Sequence, residues 1–232
     1  CIVLTSAGDK AFCAGGDIVS MYHAMCESQG EIPAFLTSFF KTEYTLDYCI
    51  HYYPKPIVVW GSGIVMGGGM GLLCGASHKV VTETSRLAMP EISIGLYPDV
   101  GGSYFLPRMP GKTGLFLGLT ATQMNGADAV HAGLADYLVA ANQLDILMQK
   151  LNDVEGGGVN HHDSVSQVLA NLDAPLSPPN SLVALHQNAI NTWCDGKTVA
   201  AVVDNILSAQ ESDLPISEDP EAHAVAIKWP RS

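Results

Sequence analysis

Three short segments of this 232-residue chain hold residue types that could act on a carbonyl compound. The first is Met66-Gly67-Gly68-Gly69-Met70-Gly71. Each glycine costs conformational entropy, so three in a row need a reason. One reason is close approach of a ligand to free N–H groups at a helix N-terminus. The other is a tight strand-to-helix turn packed against a neighbour, and the segment by itself favours neither. The second segment, Ala11-Phe12-Cys13-Ala14-Gly15-Gly16-Asp17, also places a small-residue loop before a helix, with Asp17 a candidate N-cap. Alone it reads as a plain turn. Together, two such loops would aim two amide donors at one point, which is what a developing oxyanion requires.

The third segment runs from Met89 to Gly102 and puts Glu91 and Asp99 in mostly apolar surroundings. Desolvation raises a carboxyl pKa toward neutrality, the range a general acid or base needs. Both residues would also suit the caps of short helices, Asp99 before Val100-Gly101-Gly102 above all. Spacing alone does not make the two carboxylates face each other.

Other features carry less. Gly111-Lys112-Thr113 looks like the end of a phosphate-binding P-loop, but position 106 is Leu106 where that motif needs glycine. His161-His162 has no cysteine or carboxylate at metal-ligand spacing, so a solvated loop is expected there and no metal. No G-x-S-x-G is present, which leaves a serine hydrolase of that type unsupported.

The elements that must position these segments alternate between strand and helix over residues 1 to about 140. Cys1 to Ser6 reads as a strand, followed by a helix near Ile18 to Cys26. Phe35 to Tyr53 has helical periodicity, with Phe35, Phe39, Phe40, Leu46 and Ile50 on one broad face. Pro54 and Pro56 end it. Pro56 to Trp60 is a buried strand, Gly67 to Gly75 a loop opening into a helix, and Lys79 to Thr82 a strand. The alternation argues for an α/β class with parallel pairing. Beyond about residue 141, Gly156-Gly157-Gly158 and Pro175, Pro178 and Pro179 punctuate the chain. Amphipathic helices are expected near Ser181 to Trp193 and, behind the N-cap Thr198, near Val199 to Ala209. The acidic stretch Glu211 to Glu221 reads as a solvated linker.

Hydrophobic residues make up 47% and charged ones 15% of the chain, so a sizeable core can form and disorder is disfavoured. A formal charge of −12 argues against nucleic acid and anionic membranes as partners, but not against a small phosphate-bearing ligand. The apolar run around Ile57 to Val59 is far too short to span a bilayer. The six cysteines form no C-x-x-C pair and read as reduced, buried thiols. The strand at Cys1 and the uncapped end at Ser232 suggest a fragment, expected to expose apolar surface along Cys1 to Thr5 and around Ser181 to Trp193.

Taken in order, the three segments resemble the crotonase (enoyl-CoA hydratase/isomerase) superfamily over about residues 1 to 140. The resemblance implies an α/β fold with a ββα spiral core at 1–140 and a mainly helical C-terminal extension at 141–232. It implies an oxyanion hole made by the Gly16 and Gly68 amides. The hydratases of the superfamily carry a glutamate where this chain has Gly71, while their other glutamate matches Glu91. The run from Met89 to Arg108, M-P-E-x-x-I-G-L-x-P-D-V-G-G-x-Y-F-L-P-R, and Lys41-Thr42-Glu43-Tyr44 are most similar to the 3-hydroxyisobutyryl-CoA hydrolase group. That similarity implies hydrolysis of a short branched 3-hydroxyacyl-CoA in valine breakdown, with Glu43, Gly68, Glu91 and Asp99 contacting substrate. Glu91 would act as nucleophile or as general base, and Asp99 would orient water or bind the substrate hydroxyl. No cofactor is implied, because coenzyme A is part of the substrate. The location would be the cytoplasm in a bacterium or the mitochondrial matrix in a eukaryote, and a homo-oligomer is left open. Two alternatives stand: an enoyl-CoA isomerase or hydratase of the same superfamily, and a non-catalytic acyl-CoA-binding paralogue.

Overall fold

The computed structural model describes residues 1–154 and 161–210. The first six strands are dealt alternately to two four-stranded sheets, and helices fill the crossovers. Strands β1 (Ile2–Leu4), β3 (Ile57–Gly61), β5 (His78–Val81) and β8 (Tyr137–Leu138) form one sheet, parallel throughout. Strands β2 (Ala11–Cys13), β4 (Ile64–Met66), β6 (Arg86–Ala88) and β7 (Met124–Asn125) form the other. The β2–β4 and β4–β6 pairs are parallel, and β7 returns antiparallel to β6. Each turn of this ββα spiral closes with a helix: α1 (Ile18–Glu27) and α2 (Ala34–His51) after β2, α3 (Gly68–Gly75) after β4.

Strand β3 shows why the sheets stack as they do. All five of its residues are buried, as a parallel central strand requires. Side chains alternate across a strand, so Val58 and Trp60 enter one core while Ile57 and Val59 enter another. The smaller core also takes Leu147 of α7 (Leu144–Asn152) and Val165 and Leu169 of α8 (His161–Ala170). The larger one gathers Met70, Leu73, Leu87 and Phe116, the last from α5 (Thr113–Thr120). Two short pieces, a 3-10 turn at Glu91–Ile94 and α4 (Gly102–Phe105), carry the chain from β6 to α5.

The later helices pack onto the same larger core. The expected helix at Ser181 to Trp193 is in fact two, α9 (Leu182–Leu185) and α10 (Gln187–Trp193), broken at the buried His186. The break lets Trp193 tilt against Phe116, with ring centroids 6.1 Å apart, while Leu185 stays exposed. Helix α11 (Val199–Leu207) begins at Thr198, whose hydroxyl accepts the Ala201 N–H, and buries Val202 and Ile206. His161-His162, expected in a loop, instead opens α8, where His162 stacks on His78 at 5.7 Å. The cysteines are free, but Cys1, Cys26 and Cys49 are exposed and only Cys194 is fully buried, because α1 and α2 turn their cysteines outward. The Gly156-Gly157-Gly158 run and the acidic stretch Glu211 to Glu221 lie outside the described residues.

One buried acid ties the second half to the first. Asp128, 2% exposed near the start of α6 (Gly126–His131), completes a capping box with Asn125. Its Oδ1 also accepts the Ser181 hydroxyl and the Val183 N–H, each at 2.9 Å. Asp128→Ala would leave the Val183 and Asn125 donors without their acceptor in the dry interior. Unpaired buried donors cost about 1–3 kcal/mol each, so a loss of about 3 kcal/mol is expected, read from urea unfolding midpoints.

Candidate active site

The two glycine loops meet. Gly67 takes φ +52° and ψ −123°, a conformation that admits glycine, and so turns β4 sharply into the first turn of α3. Gly15, at φ +89°, lies against that turn, where an added Cβ would come 3.2 Å from the Gly68 nitrogen. Gly68 is the first residue of α3, so its N–H has no intrahelical acceptor. Neither the Gly16 nor the Gly68 amide donates to a backbone acceptor among the described residues.

Carboxylates arrive from two directions. Glu43, midway along α2, puts its Oε1 where a Cβ on Gly68 would sit. Glu91, at the start of the 3-10 turn, brings Oε1 to 3.3 Å from where a Cβ on Gly67 would sit. Its Oε2 is buried and meets no hydrogen-bond partner. Asp99 reaches the same place from the loop before α4. The capping alternative for Asp99 does not hold, since Gly101 is the N-cap of α4. The Asp99 side chain instead accepts the Tyr44 hydroxyl at 2.6 Å, because Tyr44 of α2 faces it across the cleft.

Gly16, Gly68, Glu43, Glu91 and Asp99 therefore line one cavity of about 100 Å³. It opens through Gly15, Gly16, Phe39, Glu43 and Gly68 onto a wider apolar cleft of about 450 Å³, walled by Phe35, Leu46 and Leu72. Here the expected core face of α2 is corrected. Of its apolar stripe only Ile50 is buried, while Phe35 and Leu46 are half exposed, because this face borders the cleft. No lysine or arginine lines either cavity among the described residues.

Acids crowded together without cations hold on to protons. Burial, with Asp99 and Asp47 adding repulsion, pushes the Glu43 carboxyl up to about 7. Burial and then Asp99 also raise Glu91, against the pull of its own backbone N–H. The Tyr44 phenol is raised by burial and by its bond to Asp99.

Glu43 thus binds a proton more tightly folded than unfolded. Its carboxyl is neutral and harmless below the unfolded pKa near 4.5, and the folded state is penalised as pH rises from there through about 7. Glu43→Gln removes the penalty. It should stabilise the protein at pH 8 by on the order of 1–2 kcal/mol, discounted for partial exposure, and have little effect at pH 5. Thermal melts at the two pH values check this, and equal effects at both would contradict it.

Sequence reasoning missed Asp47, which follows Glu43 by one helical turn on the same face of α2. That i, i+4 spacing was the available signal. Gly71, where the hydratase glutamate would stand, has no room for it. A Cβ there would lie 2.7 Å from Val100 Cβ and 3.0 Å from Asp47 Oδ1.

Chemically, two amides without backbone acceptors beside a carboxylate with one unpartnered oxygen can polarise a carbonyl and attack it or deprotonate water beside it.

Comparison with known proteins agrees with this architecture. A family model described as enoyl-CoA hydratase/isomerase matches residues 1–222. The mitochondrial 3-hydroxyisobutyryl-CoA hydrolase of Bos taurus is 38% identical over 208 residues, which is 88% of this chain and 52% of that protein. A carnitinyl-CoA dehydratase from Mycobacterium thermoresistibile superposes with a TM-score of 0.76 at 36% identity, covering 96% of this chain and 60% of its own. A small ribosomal subunit protein, mS47 of Neurospora crassa, is 40% identical over 153 residues, 66% of this chain and 30% of that protein. The chain spans about half the length of the hydrolase relative it matches.

Proposed function

The chain belongs to the enoyl-CoA hydratase/isomerase family, and on that premise we propose that its cleft hydrolyses a short branched 3-hydroxyacyl-CoA, with 3-hydroxyisobutyryl-CoA the first substrate to test. The observation that carries the reading is the placement of Glu91 and Asp99 in one cavity with the Gly16 and Gly68 amides. The absence of a second glutamate at Gly71 supports hydrolysis over hydration of a double bond. Relatives named as mitochondrial 3-hydroxyisobutyryl-CoA hydrolases support the substrate and, for a eukaryotic source, a mitochondrial location.

In this reading the thioester carbonyl oxygen sits between the Gly16 and Gly68 N–H groups, which hold the negative charge of the tetrahedral state. Glu91 acts from the Gly67 side by one of two routes. As nucleophile, its carboxylate adds to the carbonyl carbon and the C–S bond breaks. CoA leaves as thiolate and takes a proton, and water then cleaves the mixed anhydride to restore the Glu91 carboxylate. As general base, it takes a proton from water as the oxygen adds to the same carbon. The tetrahedral state then collapses, the C–S bond breaks, and the leaving CoA thiolate takes the proton back from Glu91. Asp99, held by Tyr44, orients the water or the substrate hydroxyl, and Glu43 borders the acyl pocket. Coenzyme A belongs to the substrate, so no separate cofactor enters.

A second reading has a specific observation behind it. The match to a protein named as a ribosomal subunit component favours a non-catalytic paralogue, if the cleft no longer turns substrate over. The deciding experiment offers the protein 3-hydroxyisobutyryl-CoA and an unsaturated enoyl-CoA, following thiol release and double-bond absorbance separately. Thiol release from the first supports the hydrolase. Hydration or isomerisation without thiol release selects the sister activities, and inertness toward both selects the non-catalytic reading.

A further inference from the structure

Asp47 has no role in the chemistry above, yet its placement calls for one. Both of its carboxylate oxygens are buried and neither has a hydrogen-bond partner. They pack 3.0 and 3.1 Å from the Cβ position at Gly71, beside Val100, which follows Asp99 directly. Val100 itself is held at φ +39°, a left-handed conformation that strains a β-branched residue. The turn carrying Asp99 is thus pressed against Asp47 through the gap that Gly71 leaves. On α2, Asp47 lies one helical turn beyond Glu43 and on the same face.

We infer that Asp47 is a positioning residue beside the cleft, a carboxylate one helical turn from Glu43 that acts through Glu43 and sets how tightly it holds its proton. A dry, partnerless carboxylate is unfavourable when ionised unless a neighbour gives way. Its neighbours here are acids that carry the same charge. Repulsion between Asp47 and Glu43 makes the departure of one proton depend on the other, so the pair titrates together. Burial and then Asp99 push Asp47 up to about 6, and Asp47 in turn adds to the rise of Glu43 to about 7.

The other titratable groups facing Asp47 are known. From α2 they are Glu43, Tyr48, His51 and Tyr52; from α3, Cys74; from the following loop and α4, Asp99 and Tyr104. Among these only His51 can carry positive charge.

This inference rests on the proposed use of the cleft but can fail separately from it. The test is Asp47→Asn, which keeps shape and removes charge, in the full chain with ¹³C-labelled carboxyls titrated by NMR. The Glu43 midpoint should fall by about half a pH unit or more once the like charge is gone. A folded variant whose Glu43 midpoint is unmoved overturns the inference and leaves Asp47 a packing residue. Should Asn not fold, Asp47→Ser, smaller and uncharged, gives the same reading. Absence of hydrolysis in wild type and variant alike would count against the proposed function, while the titration alone would still decide the role of Asp47.

Discussion

Glu91→Gln is expected to lower thiol release from the acyl-CoA substrate by roughly 100-fold or more, the usual scale for removing a general base or nucleophile. The fold should be unaffected. Gln matches Glu in shape, and the deleted charge has a buried Oε2 with no partner. Losing a desolvated charge relieves the folded state, so the variant should melt no lower than wild type wherever the Glu91 carboxyl is ionised. The combination separates chemistry from stability. A variant that melts normally and still releases thiol at near wild-type rate would remove Glu91 from the mechanism. Binding of substrate should survive, since the Gly16 and Gly68 amides and the apolar cleft remain.

Gly69→Ala should be the most damaging small substitution beside the cleft. A Cβ at Gly69 would run into the backbone carbonyl of Cys13 at the end of β2. Backbone cannot swing aside as a flexible side chain would. Either α3 or the Cys13–Gly16 loop must move, and each carries one of the two amides of the proposed oxyanion hole. Overpacking typically costs 1–3 kcal/mol, and a clash with backbone belongs at the upper end. About 3 kcal/mol should lower the melting temperature by roughly 6–12 °C in a chain of this size. Activity should fall further than stability alone explains, because the proposed oxyanion hole would lose its geometry. Wild-type melting and turnover in the variant would show that the loops are not packed as described.

Much of this was legible in the residues, for identifiable reasons. The β-branched run before Trp60 can only be a buried strand, and Thr198 and Asp17 cap the helices they precede. The periodicity of α2 was clear as well, but a period says which residues share a face and not what that face meets. Phe35 and Leu46 look like core and instead border the cleft. The break at His186 was hidden because the apolar spacing continues through it, and packing of Trp193 on Phe116 overrides the local pattern. Strand β2 is three residues long, too short to announce itself beside a glycine loop.

The site divides the same way. Gly16, Gly68, Glu43, Glu91 and Asp99 were named by motif resemblance. Their meeting in one cavity comes from strands dealt alternately to two sheets, which brings the β2 and β4 ends together. No spacing along the chain encodes that. Asp47 carried a signal in its distance from Glu43, but its loss of hydrogen bonds depends on Gly71 and Val100, residues far away in sequence.

The most direct test is a crystal structure of the Glu91→Gln protein soaked with 3-hydroxyisobutyryl-CoA. The thioester should remain intact, its carbonyl oxygen roughly 3 Å from both the Gly16 and Gly68 nitrogens, and its acyl group beside residue 91 and Asp99. A thioester bound with its carbonyl away from those two amides, or held outside the cavity that Glu91 and Asp99 share, would contradict the account.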